Sequence, residues 1–193
     1  MAKQEIFFSI DIETDGPIPG PHSILSFAVV AIDLQKGIFD SFEVNLKELE
    51  GAKMHPETAK FWADFPSQYA ATRTNTILPS EAMFSFNRWV KSVMLKFPNF
   101  NPVLIAYPAG FDFTFIYWYM MNFTGVSPFR FTCLDIKTYA CVMLKKPYSS
   151  IRKSIFPDRW KNDKNKHTHI ALDDAIEQGE MFLKMYKENL SEK

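Results

Sequence analysis

The sequence has few cysteines and no excess of charge of either sign. Its 193 residues include only Cys133 and Cys141, without a CxxC pair, which excludes a disulfide framework and a cysteine-rich zinc site. The 22 basic and 22 acidic residues give zero net charge, which excludes a histone-like protein that binds nucleic acid through bulk charge. A glycine-rich loop ending in GK[ST] is also missing, which argues against a Walker-type phosphotransferase.

Long apolar runs are missing as well. No stretch approaches the ~18–20 residues of a membrane span, and the N-terminus lacks the basic start and apolar run of a signal peptide. We therefore expect no membrane association and a reducing, cytoplasmic location. With no repeat and no long linker, the length predicts one domain over residues 1–193.

The neutral total hides an uneven distribution of charge. Residues 145–166 contain eight basic and two acidic residues, a net charge of +6, whereas the segments before and after each carry −3. Basic residues around an aromatic side chain, here Trp160, are typical of single-strand binding. A solvated loop anchored by that tryptophan explains the pattern equally well.

The order of predicted elements indicates an α/β fold. Three strands with short connections suggest an antiparallel meander, and the rest of the chain alternates helices with strands. The prediction is a mixed sheet, an antiparallel three-stranded meander plus parallel strands, flanked by helices. The predicted strands are Ile6–Ile10, Ile24–Ile32, Ile38–Val44, Val103–Tyr107 and Phe131–Leu134. The predicted helices are Pro56–Tyr69, Ser80–Leu95 with Ser80 as N-cap, Phe111–Phe123, a helix capped by Asp135 that runs to Leu144, and Ala171–Leu190.

Two carboxylates lie where the first strand meets its loop. The period of two in a strand puts Asp11 and Glu13 on the same side, where they repel each other unless a cation lies between them. A metal site is one interpretation; two surface acids beside a turn are the other.

Further candidate ligands lie at helix starts. Asp112 follows a predicted strand, at the sheet edge where α/β proteins bind ligands, although a helix cap explains it too. His169 precedes the last helix by two residues and Asp174 lies in its first turns, where Asp173 is the better cap and Asp174 the better inward-facing ligand. A surface position is the alternative for His169.

These residues resemble the three sequence motifs of the DEDDh 3′–5′ exonucleases, a family that includes RNase T, oligoribonuclease and bacterial proofreading subunits. The motifs are Asp11-x-Glu13, Phe111-Asp112 and His169-x-Ala171-x-x-Asp174, in the family order. The segments DIETDGP and HPETAKFW are most similar to phage enzymes of the exonuclease VIII type. The resemblance implies an RNase H-like fold, in agreement with the predicted order of elements.

The resemblance also implies a mechanism. Asp11, Glu13, Asp112 and Asp174 would hold two divalent cations, Mg²⁺ or Mn²⁺, for which carboxylate oxygens are suitable ligands. Asp11 would bridge the ions, Glu13 and Asp174 would complete the site of the attacking water, and Asp112 would serve the second ion. His169 would be the general base. The activity would be hydrolysis of single-stranded DNA or RNA from a free 3′ end, releasing nucleoside 5′-monophosphates.

The resemblance says less about which residues contact the substrate. Thr14 resembles the family residue beside the terminal nucleotide. Where relatives often have asparagine before the second motif, this chain has Tyr107 and Pro108, and we include Tyr107 among the expected substrate-binding residues. From the basic segment we add Lys161, Lys164 and Lys166.

Two alternatives stay open at this stage. A catalytically inactive RNase H-like module would bind nucleic acid or protein only, and a proofreading subunit would act beside a polymerase, although no docking extension is evident. The choice between DNA and RNA is also open. Relatives often form homodimers, which suggests the same state here by analogy.

Overall fold

The computed structural model describes residues 4–161 and 168–191. These residues form a five-stranded mixed sheet in the order β3-β2-β1-β4-β5, with six α-helices packed around it. The predicted α/β architecture is therefore confirmed. Among the described residues, no helix has the length and hydropathy needed to cross a bilayer.

The first three strands form the expected antiparallel meander. β1 (Gln4–Thr14), β2 (Ile24–Asp33) and β3 (Gly37–Asn45) pair in sequence, and β2 is buried along its whole length. β1 extends four residues beyond its predicted end because its pairing with β2 continues to Thr14. Asp11 and Glu13 thus belong to a central strand, not to the loop that follows it.

Two parallel strands complete the sheet on the other side of β1. β4 (Phe100–Ala106) pairs with β1, and β5 (Leu134–Asp135) pairs with the end of β4. The predicted strand Phe131–Leu134 is wrong except at its last residue, because only Leu134 and Asp135 pair with the β4 backbone.

The helices match the predictions except at two points. The six helices are α1 (Pro56–Asp64), α2 (Pro66–Thr72), α3 (Pro79–Leu95), α4 (Ala109–Thr124), α5 (Ile136–Leu144) and α6 (Ala171–Ser191). The single helix predicted over 56–69 is wrong, because Pro66 breaks it and Phe65 takes a non-helical backbone. Ser80 is not the N-cap of α3, because Pro79 already forms the first helical turn and Leu78 precedes it.

Side chains of β1 alternate between two cores. Ile6, Phe8, Ile10 and Ile12 face the core beneath α3 and α4. Phe7 faces the second core, where α5 and α6 pack on the opposite side of the sheet. By the same alternation, Ser9, Asp11 and Glu13 project toward α6.

Close packing of α6 on the sheet brings its first turn to this row of side chains. Ser9 Oγ donates to the Ala175 carbonyl at 2.9 Å, and Gln178 Nε2 donates to the Ile10 carbonyl. A Cβ on Gly179 would lie 2.9 Å from Ile32 Cδ1 and 3.1 Å from Ser9 Cβ, so a larger residue there would force side chains of the sheet to shift. These contacts hold the first turns of α6 beside Glu13.

Candidate active site

Four carboxylates from three elements converge at the end of β1; we call Asp11, Glu13, Asp112 and Asp174 the carboxylate centre. Asp11 is partly buried, and the other three side chains are almost completely buried. The centre lies at the carboxyl end of β1 and β4, the edge at which the sequence predicted ligand binding.

Asp112 is held in place by backbone contacts. It lies in the first turn of α4 and its Oδ1 accepts a hydrogen bond from the Ile12 amide at 3.2 Å. Asp135 fixes the start of the same helix, because its Oδ2 accepts from the Ala109 amide at 2.7 Å while its Oδ1 caps α5 at Thr138. Asp112 therefore faces the end of β1 and is not the N-cap of its own helix, whereas Asp135 has the expected capping role.

Asp174 connects the centre to His169. Its two carboxylate oxygens accept hydrogen bonds from the Thr168 and His169 amides, each at 3.0 Å. These bonds hold His169 in a left-handed backbone conformation, with φ of 57°. Ligand atoms of Glu13, His169 and Asp174 all lie within 4.8 Å of one another. The structure thus brings together the residues of the first and third motifs.

Two aromatic rings orient the imidazole, and the sequence did not reveal them. The His169 ring centroid lies 5.0 Å from that of Phe61 and 4.3 Å from that of Phe65. Phe65 reaches the ring from the break between α1 and α2, so Pro66 was the only signal in the sequence. Packing against two rings restricts the imidazole to a narrow range of orientations.

Burial and mutual repulsion weaken the acidity of the centre. Burial, followed by the charges of Asp112, Glu13 and Asp174, raises the pKa of Asp11 well above its usual range. Burial and the charges of Asp174 and Asp112 raise the pKa of Glu13 to about 8. Burial raises the pKa of Asp112 to about 7, against the hydrogen bond from Ile12. The centre is stable as a set of anions only with positive charge nearby.

Lys153 supplies part of that charge. It forms an ion pair with Glu177 one turn beyond Asp174, and its Nζ lies 5.7 Å from the centroid of the Tyr107 ring. Its charge lowers the pKa of both Asp11 and Asp112. The sequence placed Lys153 only within a basic segment and gave no sign that this lysine, among eight basic residues, affects the carboxylates of the centre.

Besides Thr14, four residues were predicted to bind substrate, and the structure describes two of them, Tyr107 and Lys161. Tyr107 is half-buried beside Lys153, with its ring edge against Phe156, and burial raises its pKa to about 12. Lys161 pairs with Asp158 at 3.0 Å, and its carbonyl accepts from Lys184. Ten residues of α6 separate Lys184 from Asp174, about 15 Å, so the structure does not bring Lys161 to the carboxylates. Lys164 and Lys166 lie outside the described residues.

Trp160 is an anchor of the basic segment. Its side chain is buried in the α5/α6 core, and its Nε1 donates to Glu188 Oε2 at 2.6 Å. Arg159 forms two bonds of 2.7 Å with the same carboxylate. Of the two interpretations of this tryptophan, the structure supports anchoring, since a buried ring cannot stack on a base.

A pocket of about 420 Å³ opens beside Glu13; we call it the terminal pocket. Thr14 lies in its wall, buried, with its hydroxyl donating to the Gly16 carbonyl at 2.9 Å. The other residues come from the end of β1, the loop after it, the N-cap and first turns of α1 and the start of α4: Ile12, Glu13, Gly16, Pro17, His55, Glu57, Thr58, Phe61, Trp62 and Phe111. Trp62 Nε1 donates to the Thr14 carbonyl at 2.9 Å and so ties α1 to the end of β1.

The donor set suits a hard divalent cation. The candidate ligand atoms are mostly carboxylate oxygens, with one imidazole beside them. The raised pKa values of Asp11 and Glu13 indicate that positive charge in the protein offsets the negative charge of these carboxylates only in part. Asp11, Glu13, Asp112 and Asp174 would hold such ions.

Comparisons with known proteins agree with this geometry. No family model matches the chain. It is 32% identical over 205 residues to the 3′-5′ DNA exonuclease Cap18 of Escherichia coli, a match that covers 98% of this chain and 95% of that protein. Among solved structures, Pop2p of S. pombe with Mg²⁺ and Mn²⁺ bound has a TM-score of 0.67 at 12% identity, covering 97% of this chain and 85% of that one. E. coli Exonuclease I in complex with a dA16 oligonucleotide has a TM-score of 0.62 at 14% identity, covering 96% and 41%. The expected RNase H-like exonuclease fold is confirmed.

Proposed function

The chain belongs to the family of 3′–5′ exonucleases, hydrolases that act on nucleic acid, and on this basis we propose that it degrades single-stranded DNA from the 3′ end by a two-metal mechanism of the DEDDh type. Residues 1–193 would form one catalytic domain. The products would be nucleoside 5′-monophosphates released one at a time.

The convergence of four carboxylates and one histidine carries this proposal. Glu13, Asp174 and His169 offer ligand atoms within 4.8 Å of one another, and Asp112 is tied to the backbone between Asp11 and Glu13. A module that only binds nucleic acid has no use for this set, because buried carboxylates repel a phosphate backbone. With cations bound, the same set attracts it.

Each residue has a defined task in this mechanism. Bound Mg²⁺ or Mn²⁺ would activate the attacking water and offset the charge that develops on the scissile phosphate. Asp11, Glu13, Asp112 and Asp174 would hold these ions. His169 accepts the proton of the attacking water, and its ring is kept in position by Phe61 and Phe65.

The reaction is a substitution at phosphorus. The bond from the water oxygen to phosphorus forms as the bond from phosphorus to the 3′ oxygen of the preceding nucleotide breaks. The water proton goes to His169, and the departing 3′ oxygen takes a proton from solvent. The shortened strand therefore keeps a 3′ hydroxyl and can enter the next cycle.

The relatives favour one class of nucleic acid. Cap18 is named a DNA exonuclease, and Exonuclease I was solved with a dA16 oligonucleotide, which favour DNA and a single strand. The terminal pocket opens beside Glu13 and is lined by aromatic side chains, as expected for an unpaired terminal base.

Product analysis tests the proposal. Single-stranded DNA and RNA of the same sequence are incubated with Mg²⁺ or Mn²⁺, and the products are separated by chromatography. We expect deoxynucleoside 5′-monophosphates in excess over ribonucleotides, with the acid limb of the pH–rate profile lost in His169→Asn. Release of 3′-monophosphates, or of oligonucleotides without mononucleotides, would contradict the mechanism.

A further inference from the structure

Lysine and tyrosine side chains form a surface that adjoins the carboxylate centre on the side of β4 and β5. We call Tyr107, Lys137, Tyr148 and Lys153 the lysine–tyrosine surface. Tyr107 directly follows β4, and Lys137 lies in the first turn of α5. The other two lie in short 3₁₀ helices after α5, at Tyr148–Ser150 and Lys153–Ile155. The mechanism above gives none of the four side chains a task.

We propose that the lysine–tyrosine surface binds the nucleotides on the 5′ side of the scissile phosphodiester, with its lysines at the phosphates and the ring of Tyr148 against a base. This inference rests on the proposed function, because it takes the scissile phosphodiester to lie at the carboxylate centre. It adds a binding site for the part of the strand that stays intact in each cycle.

The four side chains form a continuous series that begins at the centre. The charge of Lys153 lowers the pKa of two carboxylates of the centre, and its Nζ lies 5.7 Å from the centroid of the Tyr107 ring. Burial raises the pKa of Tyr107 and the charge of Tyr148 adds to this rise, so the two tyrosines lie near each other. Lys137 Nζ lies 4.4 Å from the centroid of the Tyr148 ring. The surface therefore runs from the carboxylate centre past the end of β4 to the start of α5.

The geometry of the substitution directs the intact part of the strand toward this surface. In an in-line displacement, the attacking and leaving oxygens lie on opposite sides of phosphorus. The proposed general base, His169, lies on the side of β2 and β3, because it lines a cavity together with Ala28 of β2 and Glu43 of β3. The strand order β3-β2-β1-β4-β5 puts Tyr107, at the end of β4, on the other side of Asp11. The departing 3′ oxygen and the strand attached to it therefore face the lysine–tyrosine surface.

The charge of this part of the chain suits a phosphate backbone. Residues 136–157, which include α5 and both short helices, contain five basic residues and no acidic residue. Two acids border the surface and both have partners: Glu177 pairs with Lys153, and Asp135 accepts from backbone amides at the starts of α4 and α5. Within residues 4–161 and 168–191, no ion pair involves Lys137. Its charge is therefore open to a phosphate.

The surface is accessible to a strand. Tyr148 is 49% exposed, and the side chain of Lys153 is 29% exposed despite its ion pair. Tyr107 and Lys137 are partly exposed as well. Cations that alternate with accessible aromatic rings are typical of single-strand binding, because the cations follow the phosphates and the rings stack on bases of any sequence.

The salt dependence of binding separates phosphate contacts from base contacts. The dissociation constant of a 5′-labelled oligothymidylate for His169→Asn, which slows cleavage, is measured over a range of salt concentrations at fixed Mg²⁺. We expect Lys137→Met in this background to reduce the slope of log Kd against log salt concentration by about 0.7, the value for one phosphate contact on a single strand. Tyr148→Ala should weaken binding about tenfold without changing the slope, and Tyr148→Phe, which keeps the ring, should bind normally.

Substrate length connects this binding to cleavage in the enzyme with His169 intact. The p-nitrophenyl ester of thymidine 5′-monophosphate carries no nucleotide on the 5′ side of the scissile bond, whereas pentathymidylate carries four. We expect Tyr148→Ala to lower kcat/KM on pentathymidylate about tenfold and to leave cleavage of the ester unchanged. Lys137→Met should show the same selectivity, with a loss that shrinks as salt is added.

Two substitutions in α3 are the matched controls, because α3 packs on the opposite face of the sheet from α5. Lys91→Met removes an exposed lysine, and Phe84→Ala removes an aromatic ring that is 56% exposed. Neither should change binding or cleavage. A salt slope that Lys137→Met leaves unchanged, or that Lys91→Met lowers equally, would overturn the inference.

Two results with Tyr148→Ala would also overturn it. Unchanged affinity for oligothymidylate would exclude stacking on this ring, and equal losses on the ester and on pentathymidylate would show that the ring supports the fold. Each of these results leaves the proposed function intact. A wild-type protein that cleaves neither substrate with Mg²⁺ would instead refute the proposed function, and this inference with it.

Discussion

Replacing Glu13 with glutamine should stabilise the metal-free protein, although it removes a residue assigned to the active site. Glu13 is almost completely buried beside Asp174 and Asp112, and its pKa rises from 4.5 to about 8. The native state therefore disfavours the ionised carboxylate relative to the unfolded chain. Glutamine has nearly the same shape and carries no charge.

The sign and size of the effect depend on pH. An acid whose pKa is raised on folding binds more protons in the native state, so stability falls as pH rises from about 4.5 to about 8. At 1.36 kcal/mol per pKa unit, ionisation of Glu13 costs the native state on the order of 4 kcal/mol at pH 7.5 and less than about 1 kcal/mol at pH 5.

Urea unfolding in EDTA at these two pH values measures the difference. The gain in unfolding free energy of Glu13→Gln over wild type should approach about 4 kcal/mol at pH 7.5 and fall to less than about 1 kcal/mol at pH 5. Glu50→Gln, at an exposed carboxylate, should show no gain at either pH. Added Mg²⁺ should stabilise wild type more than Glu13→Gln. A gain independent of pH, or a loss at pH 7.5, would refute the account of Glu13 as a buried, uncompensated charge.

Three further substitutions test other parts of the structure. His169→Asn should lower kcat on single-stranded DNA by roughly 100-fold or more with little change in KM; unchanged kcat would exclude a general base there. Lys153→Met should lower the stability of the metal-free protein in urea unfolding at pH 7.5 with EDTA, because the charge that favours ionised Asp11 and Asp112 is lost, whereas Lys161→Met should not. Gly179→Ala should destabilise the protein by about 1–3 kcal/mol in thermal unfolding, because its Cβ would clash with β2, and Gly110→Ala, in open space, should not. Equal stability of the two alanine variants would show that α6 can shift freely.

The carboxylate centre could be predicted because its members depend on local rules. The two-residue period of β1 puts Asp11 and Glu13 on one side, and the strand-to-helix transition puts Asp112 at the same sheet edge. The family motifs then linked these acids with His169 and Asp174. The antiparallel meander and the parallel strands were also predicted, because the order of elements along the chain indicates both.

The missed features depend on contacts between distant segments. The Phe65-Pro66 break has a local cause, but only the folded chain shows that it brings Phe65 against His169. Lys153 differs from its basic neighbours through a pairing with Glu177, 24 residues away. The burial of Trp160 likewise depends on Glu188, and no pattern within the basic segment indicates that contact.

The central claim is that the carboxylate centre is a metal-dependent 3′–5′ exonuclease site. Its most direct test is a time course with 5′-labelled single-stranded DNA in Mg²⁺ and in EDTA, for wild type and Asp11→Ala. We predict a ladder of labelled strands that shortens one nucleotide at a time, seen only with wild type in Mg²⁺. Shortening that persists in EDTA or in Asp11→Ala, or a labelled mononucleotide released at once from the 5′ end, would contradict the account.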